Sequence, residues 1–369
     1  MPVSQTDGDY LTLHEFIRAA HRTLDRNLWD YLVGGTGTET TLLRNRQSLD
    51  RLALRPRVLR DVSSISARHN FFNRESRLPV LLAPIGGLEA LAEDGGVKTA
   101  RAASTFGIPF ILSSVSEAGM QVVGNAAAGT KIFQLYTRGD AEWVDGQVQK
   151  AIDLGYDAFC ITVDSAVYSR RERDIAKRYG KPWRGRGGRS AVEGMRFQAA
   201  FNWNDIKRIR DKFGVPLILK GIGTAEDADL ACQEGVQCVY VSNHGGRQLD
   251  QGQGAIDVLP EVVAAVSGRA TVVVDGGFSR GSDIVKAIAL GADMVGIGRL
   301  YCYGLVAAGL EGIIRVLELL EDEIAECLGL VGVSTLRGLN RRHVGQAAPV
   351  YPPHVHSAFP LLRLPQDEY

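Results

Sequence analysis

The segment SNHGGRQLD (242–250) holds the densest chemistry in the chain. His244 titrates near neutral pH and suits a general base. Arg247, three residues on, offers the planar fork that grips a carboxylate through two hydrogen bonds. Asp164 closes the run AFCITVD (158–164) and would orient His244 and stabilise its charged form. Lys220 closes PLILKG (216–221). A lysine there serves as a Schiff-base nucleophile or as a fixed cation beside an anionic cofactor, and a rim lysine also snorkels without function. Arg171 offers a second carboxylate clamp. Taken singly, His244 reads equally well as a satisfied structural histidine. The Gly-Gly and Arg beside it favour chemistry.

A second cluster suits phosphate. DGGFSRGSD (275–283) sets two glycines and Arg280 ahead of a helix start capped by Ser282 or Asp283, and GIGR (296–299) adds Gly296, Gly298 and Arg299. Glycine-freed N–H groups, a helix dipole and a guanidinium make an anion site. No complete GxGxxG or GxxxxGK[ST] occurs, so neither a dinucleotide fold nor a P-loop is supported.

These groups need elements to position them. Eight short apolar runs recur: PVLLAP (79–84), PFILSS (109–114), KIFQLY (131–136), AFCITVD (158–164), PLILKG (216–221), CVYVSNHGG (238–246), TVVVDGG (271–277) and MVGIGR (294–299). Continuous apolar runs suit parallel strands buried on both faces. Helical stretches such as AEDADLACQEG (225–235) and SDIVKAIALGA (282–292) lie between them and close on glycine turns. Eight strands alternating with helices predict an α/β protein, a (β/α)8 TIM barrel, whose function sits at the C-terminal strand ends. All the candidate residues above except Arg171, Arg280 and the helix caps Ser282 and Asp283 fall at or just past those ends.

Residues 1–78 read as an N-terminal helical extension, with LTLHEFIRAAHRTL amphipathic and a break at Gly34, Gly35 and Gly37. The barrel spans 79–345, and 346–369 is a proline-rich, extended tail. A long loop follows the fourth strand. Its stretch KRYGKPWRGRGGRS (177–190), basic and without acid, reads as a mobile cover over the barrel mouth or as a solvated linker.

Composition narrows the class. The 369 residues carry 42 Lys+Arg against 42 Asp+Glu, which gives no footprint for nucleic acid or an anionic membrane. No run approaches 18 apolar residues, so no membrane span is expected. The five cysteines form no CxxC pair, and the N-terminus has no apolar signal core, so a cytoplasmic protein without a disulfide framework is expected. No metal site is expected.

The chain resembles the FMN-dependent L-α-hydroxy-acid oxidases and dehydrogenases, which include glycolate oxidase, lactate oxidase, flavocytochrome b2 and mandelate dehydrogenase. SNHGGRQLD carries the resemblance most specifically. RPRVLRDV (55–62), LLAPIG (81–86), TARAAS (99–104), LSS (112–114), FQLY (133–136), TVD (162–164), SRRERD (169–174), LKG (219–221), DGG (275–277) and GIGR (296–299) follow in family order, covering about residues 10–345. The resemblance implies FMN as cofactor and oxidation of an L-2-hydroxy acid to the 2-oxo acid. It implies His244 as base, paired with Asp164. Arg171, Arg247 and Tyr31 would hold the substrate carboxylate and Tyr136 its hydroxyl side. Lys220 would sit at the flavin N1/O2 edge. Ile85, Gly86, Ser114, Gln134, Thr162, Ser242, Asp275, Gly276, Gly277, Arg280, Gly298 and Arg299 resemble contacts to FMN. A homotetramer is implied, and the electron acceptor would be O2, a quinone or a redox protein.

Three departures stand out. Ser279 occupies a position where the family pattern has a phosphate-binding arginine, which Arg280 and Arg299 would have to replace. Val115 stands where short-chain oxidases carry a bulky aromatic, and Gly86 where several oxidases carry alanine. Both enlarge the pocket and point to a substrate larger than glycolate or lactate, mandelate-like or long-chain. The loop after the fourth strand is also shorter than in many members, and a contact of its basic, Trp183-containing stretch with a membrane or an acidic partner is a further reading. The rival readings are an FMN barrel isomerase, which would not need the His, Arg, Arg, Tyr set, and a repurposed, non-catalytic barrel.

Overall fold

The computed structural model describes residues 10–126, 128–179, 188–362 and 364, with the side chains of 188–193 outside the description. The eight apolar runs form eight parallel strands: β1 (Val80–Leu82), β2 (Phe110–Ser113), β3 (Lys131–Leu135), β4 (Ala158–Thr162), β5 (Leu217–Ile222), β6 (Cys238–Val241), β7 (Thr271–Val274) and β8 (Met294–Ile297). They close into a barrel in sequence order, with β8 returning to β1. Almost every strand residue is buried, as two covered faces require. One set of side chains fills the barrel interior, among them Leu81, Ile111, Ile132, Cys160, Ile218, Tyr240 and Met294. The other set packs against the helices.

Three helices precede the barrel: α1 (Leu13–Thr23), α2 (Arg26–Val33) and α3 (Thr40–Asp50). In α1 the stripe Leu13, Phe16, Ile17 and Ala20 is buried. Helical structure ends at Asp50, earlier than the sequence suggested. Leu52–Leu54 then pairs antiparallel with Val344–Gln346, which ties the extension to the end of the barrel. A short hairpin, His69–Phe71 with Arg74–Ser76, sends Phe71 into the interior cluster.

The connection between β4 and β5 is largely helical, with helices at Glu172–Ala176, Gly188–Ala200 and Trp203–Lys212. Residues 180–187, including Trp183 of the basic stretch, lie outside the described residues. The helix after β8 runs Arg299–Val331 and is long and apolar enough to cross a membrane, which the run-length reading did not anticipate. It is two helices joined across non-helical Ala308 and Gly309, and its apolar residues pack on α1 and the barrel helices. The tail does not extend away. Residues 353–362 turn back onto the molecule, and Phe359 is buried.

Candidate active site

A cavity of about 650 Å³ opens at the C-terminal ends of the strands. Its wall takes Gly86 from the end of β1, Val115 past β2, Tyr136 past β3, Lys220 on β5, His244 and Arg247 past β6, Asp275–Ser279 past β7 and Gly298 and Arg299 past β8. Tyr31 of α2 and Arg171, from the start of the long connection, complete it.

His244 sits in the left-handed backbone region, at φ 59°, a conformation uncommon outside glycine. Gly245 and Gly246 follow with φ 64° and 76°, so the chain turns back on itself and projects the imidazole into the cavity. Nδ1 lies 2.9 Å from Asp164 Oδ1 and Nε2 3.2 Å from the Tyr136 hydroxyl. Asp164 reaches that position because residue 221 is glycine: a Cβ there would come within 2.6 Å of the Asp164 Cβ. Gly221 also has φ 115° at an irregularity in the β5–β6 register.

Electrostatics set the protonation states. Burial lowers the His244 pKa, helped by the charges of Lys220 and Arg171, and Asp164 only partly opposes this. His244 is therefore neutral at neutral pH, and the tautomer that donates from Nδ1 to Asp164 leaves Nε2 as a free base. Burial pushes the Asp164 carboxyl up, but His244 and Lys220 pull it below its usual value. Burial disfavours the charged form of Lys220, yet Asp275 and Asp164 outweigh it and raise its pKa. Its ammonium donates to Ser242 Oγ at 2.8 Å and lies 3.3 Å from Asp275. Burial raises the Tyr136 pKa to about 12.

The arginines are held differently. Arg247 donates to the carbonyls of Tyr31 (2.7 Å) and Gly34 (3.0 Å), and its guanidinium lies 4.8 Å from the Tyr31 ring centroid. Burial, with Arg171 close by, lowers its pKa to about 9, still charged at neutral pH. Arg171 keeps a buried Nε without a hydrogen-bond partner among the described residues and faces the same ring at 5.8 Å. Tyr31 donates its hydroxyl to the Gly86 carbonyl at 2.9 Å.

Two further orphans lie at the ends of β3 and β4. Gln134 Nε2 and Thr162 Oγ1 are buried with no partner among the described residues. With the Lys220 ammonium they suit a planar ligand rich in acceptors, as the pyrimidine edge of a flavin is. Ser114 is turned to the Tyr136 backbone N–H, and Ser242 bridges Lys220 and Asp275. Ser114, Gln134, Thr162 and Ser242 do not line the cavity. Ile85, Gly86, Asp275, Gly276, Gly277, Gly298 and Arg299 line it.

Arg280 departs from the sequence expectation. Its guanidinium pairs with Glu323 at 2.6 Å, lies 5.7 Å from the Phe359 ring and does not line the cavity. The sequence reading also missed lining residues. Arg138 and Tyr168 are bonded to each other at 2.8 Å, with Trp143 and Met195 on the same wall. Tyr303, Val355, His356 and Phe359 line it as well. FQLY pointed to the β3 end but not as far as Arg138, and the tail carries no motif.

Comparison with known proteins identifies the family. The sequence pattern of the FMN-dependent dehydrogenase family matches residues 20–346. An L-lactate oxidase of Nostoc sp. is 36% identical over 355 residues, covering 89% of this chain and 96% of its own. A 4-hydroxymandelate oxidase of Amycolatopsis orientalis is 36% identical over 348 residues, covering 90% and 97%. The crystal structure of a mandelate oxidase superposes with a TM-score of 0.86 at 35% identity, covering 93% of this chain and all of that one. With a family match over residues 20–346 and relatives that align nearly end to end, the chain belongs to the FMN-dependent dehydrogenase family, flavoenzymes that oxidise α-hydroxy acids.

Proposed function

We propose that this flavoenzyme oxidises an L-2-hydroxy acid whose side chain is larger than that of glycolate or lactate, aromatic or long-chain. The observation that carries the reaction is the placement of His244: its Nε2 faces the cavity beside the Tyr136 hydroxyl, and Arg171 and Arg247 line the same cavity. Converting a 2-hydroxy acid to the 2-oxo acid removes two protons and two electrons, and bound FMN supplies the electron sink. Arg171, Arg247 and Tyr31 hold the carboxylate, so that the α-carbon has one orientation. Nε2 of His244 takes a proton, and Asp164 stabilises the imidazolium that results. Tyr136 holds the substrate hydroxyl. Lys220, with Gln134 and Thr162 beside it, offers charge and donors where negative charge arrives on the cofactor.

Substrate size rests on Gly86 and Val115. Both line the cavity, and neither carries a bulky side chain. Val115 Cγ2 leans into the space above Gly86, so the two truncations do not add in full. The relatives named for mandelate and for lactate match to the same degree and do not choose between these substrates.

The test is to add glycolate, L-lactate, L-mandelate and 2-hydroxyoctanoate anaerobically to the yellow protein and follow loss of visible flavin absorbance. Rapid bleaching by the larger acids is expected, and readmitted air then separates oxidase from dehydrogenase. Comparable turnover of glycolate with refusal of mandelate and 2-hydroxyoctanoate would overturn the size assignment.

A further inference from the structure

Among the described residues, the phosphate end of the cavity is short of free cations. Gly276–Ser279 and Arg299 form its wall past β7 and β8. The guanidiniums nearby are already engaged. Arg280 is paired with Glu323. Arg46 is buried and holds Asp283, Asp50 and the Gly277 carbonyl. Nε, Nη1 and Nη2 of Arg299 each donate to a main-chain carbonyl of Leu32, Gly34 or Gly245. Ser279 donates its hydroxyl to the Gly277 carbonyl at 3.2 Å.

The C-terminal segment lines the same cavity with Val355, His356 and Phe359, and Phe359 lies 5.7 Å from the guanidinium of Arg280, the neighbour of Ser279. The segment begins beyond residue 346, where the family match ends. Ser357 Oγ bonds Asp50 of α3 at 2.9 Å. The Phe359 ring lies edge-on to His14 of α1 at 5.4 Å. His356 lies 5.7 Å from the Trp29 ring of α2. These anchors place His356, 8% exposed, in the cavity lining beside Tyr303, with Nε2 at 3.0 Å from the Tyr303 hydroxyl. A neutral imidazole and a phenol that share one hydrogen bond keep one donor in reserve. If Tyr303 donates, Nδ1–H is left over. If Nε2–H donates, the Tyr303 O–H is left over.

We infer that the C-terminal segment completes the FMN phosphate pocket, and that the Tyr303–His356 pair supplies the donor that Ser279 does not. The pocket thereby gains its last wall from a segment outside the barrel.

Flavin titration of the full-length apoprotein tests this, read by quenching of flavin fluorescence. FMN and riboflavin differ in the phosphate, so the ratio of their dissociation constants isolates this end of the cavity. His356→Leu is expected to weaken FMN by roughly tenfold or more and to leave riboflavin nearly unchanged. Tyr303→Phe, which keeps the ring in place, is expected to raise the FMN-to-riboflavin ratio of dissociation constants in the same way. Adding Ser279→Arg to His356→Leu is expected to restore FMN. An unchanged ratio in both single variants overturns the inference. So does an equal loss of both flavins, which would make the segment a structural strap only.

Discussion

Asp164 and His244, 80 residues apart in sequence, meet at 2.9 Å across the ends of β4 and β6. The contact is expected to temper the pH dependence that burial sets. Burial and the charges of Lys220 and Arg171 lower the His244 pKa from 6.5, while Asp164 raises it. Below its pKa the imidazole is protonated and accepts no proton, so activity falls as pH falls. The acid limb of kcat/KM is expected below pH 6.5. In Asp164→Asn the opposing charge is gone, so the limb moves to still lower pH while kcat drops by roughly 10²–10⁴. A limb that moves upward in the variant would contradict this electrostatic account.

Arg247 is tied to the backbone of α2 as well as facing the cavity. Lysine keeps the charge but loses the fork and the geometry that reaches both carbonyls. Arg247→Lys is expected to lower kcat/KM by roughly 10²-fold, mostly through KM, and to loosen Tyr31 as well. Steady-state kinetics with one acid gives the split between KM and kcat. A fall in kcat alone would place Arg247 outside carboxylate binding.

The barrel was legible because parallel strands buried on both faces leave a pattern that no other element mimics over eight repeats. Strand ends then led to His244, Lys220 and Asp164, since closure of the barrel brings those ends to one mouth. The sequence could not show which donors were already spent. Arg280 looks like a phosphate ligand in DGGFSRG, and only Glu323, some forty residues on, shows why its guanidinium is committed elsewhere. The tail failed as a reading for a similar reason. Proline-rich composition reports local chain preference, while Phe359 is buried by His14 and Arg280, which are distant in sequence. The helix Arg299–Val331 escaped the apolar-run reading because its hydrophobic residues are interrupted along the sequence.

Gly86 and Val115 form one unit above the cavity. A Cβ on residue 86 would overlap Val115 Cγ2. Gly86→Ala therefore forces Val115 to turn, and the space for a substrate side chain shrinks. Gly86→Ala is expected to lower kcat/KM for mandelate by roughly 10-fold or more relative to lactate. Val115→Ala on that background gives the alanine room and is expected to recover most of the loss. Equal effects on mandelate and lactate would mean that residue 86 acts on the flavin and leaves the side-chain space unchanged.

Tyr240 and Gly296 make a second exchange of volume, inside the barrel beneath Lys220. The Tyr240 ring is fully buried, with the Lys220 ammonium 5.2 Å from its centroid. A Cβ on residue 296 would overlap the Tyr240 hydroxyl, whereas the ring carbon behind it lies 3.1 Å away. Gly296→Ala is expected to destabilise the protein by about 1–3 kcal/mol through overpacking. Tyr240→Phe removes the one atom in conflict. The double variant should then be more stable than the sum of the single effects predicts, with a coupling of about 1 kcal/mol or more. A double-mutant cycle by chemical denaturation measures it. Gly298→Ala is the control, since a Cβ there meets only Ile85 Cδ1, at 3.4 Å, and no coupling to Tyr240 is expected. Strict additivity at Gly296 would show that the barrel interior relaxes around the methyl group, and that Tyr240 does not dictate glycine at residue 296.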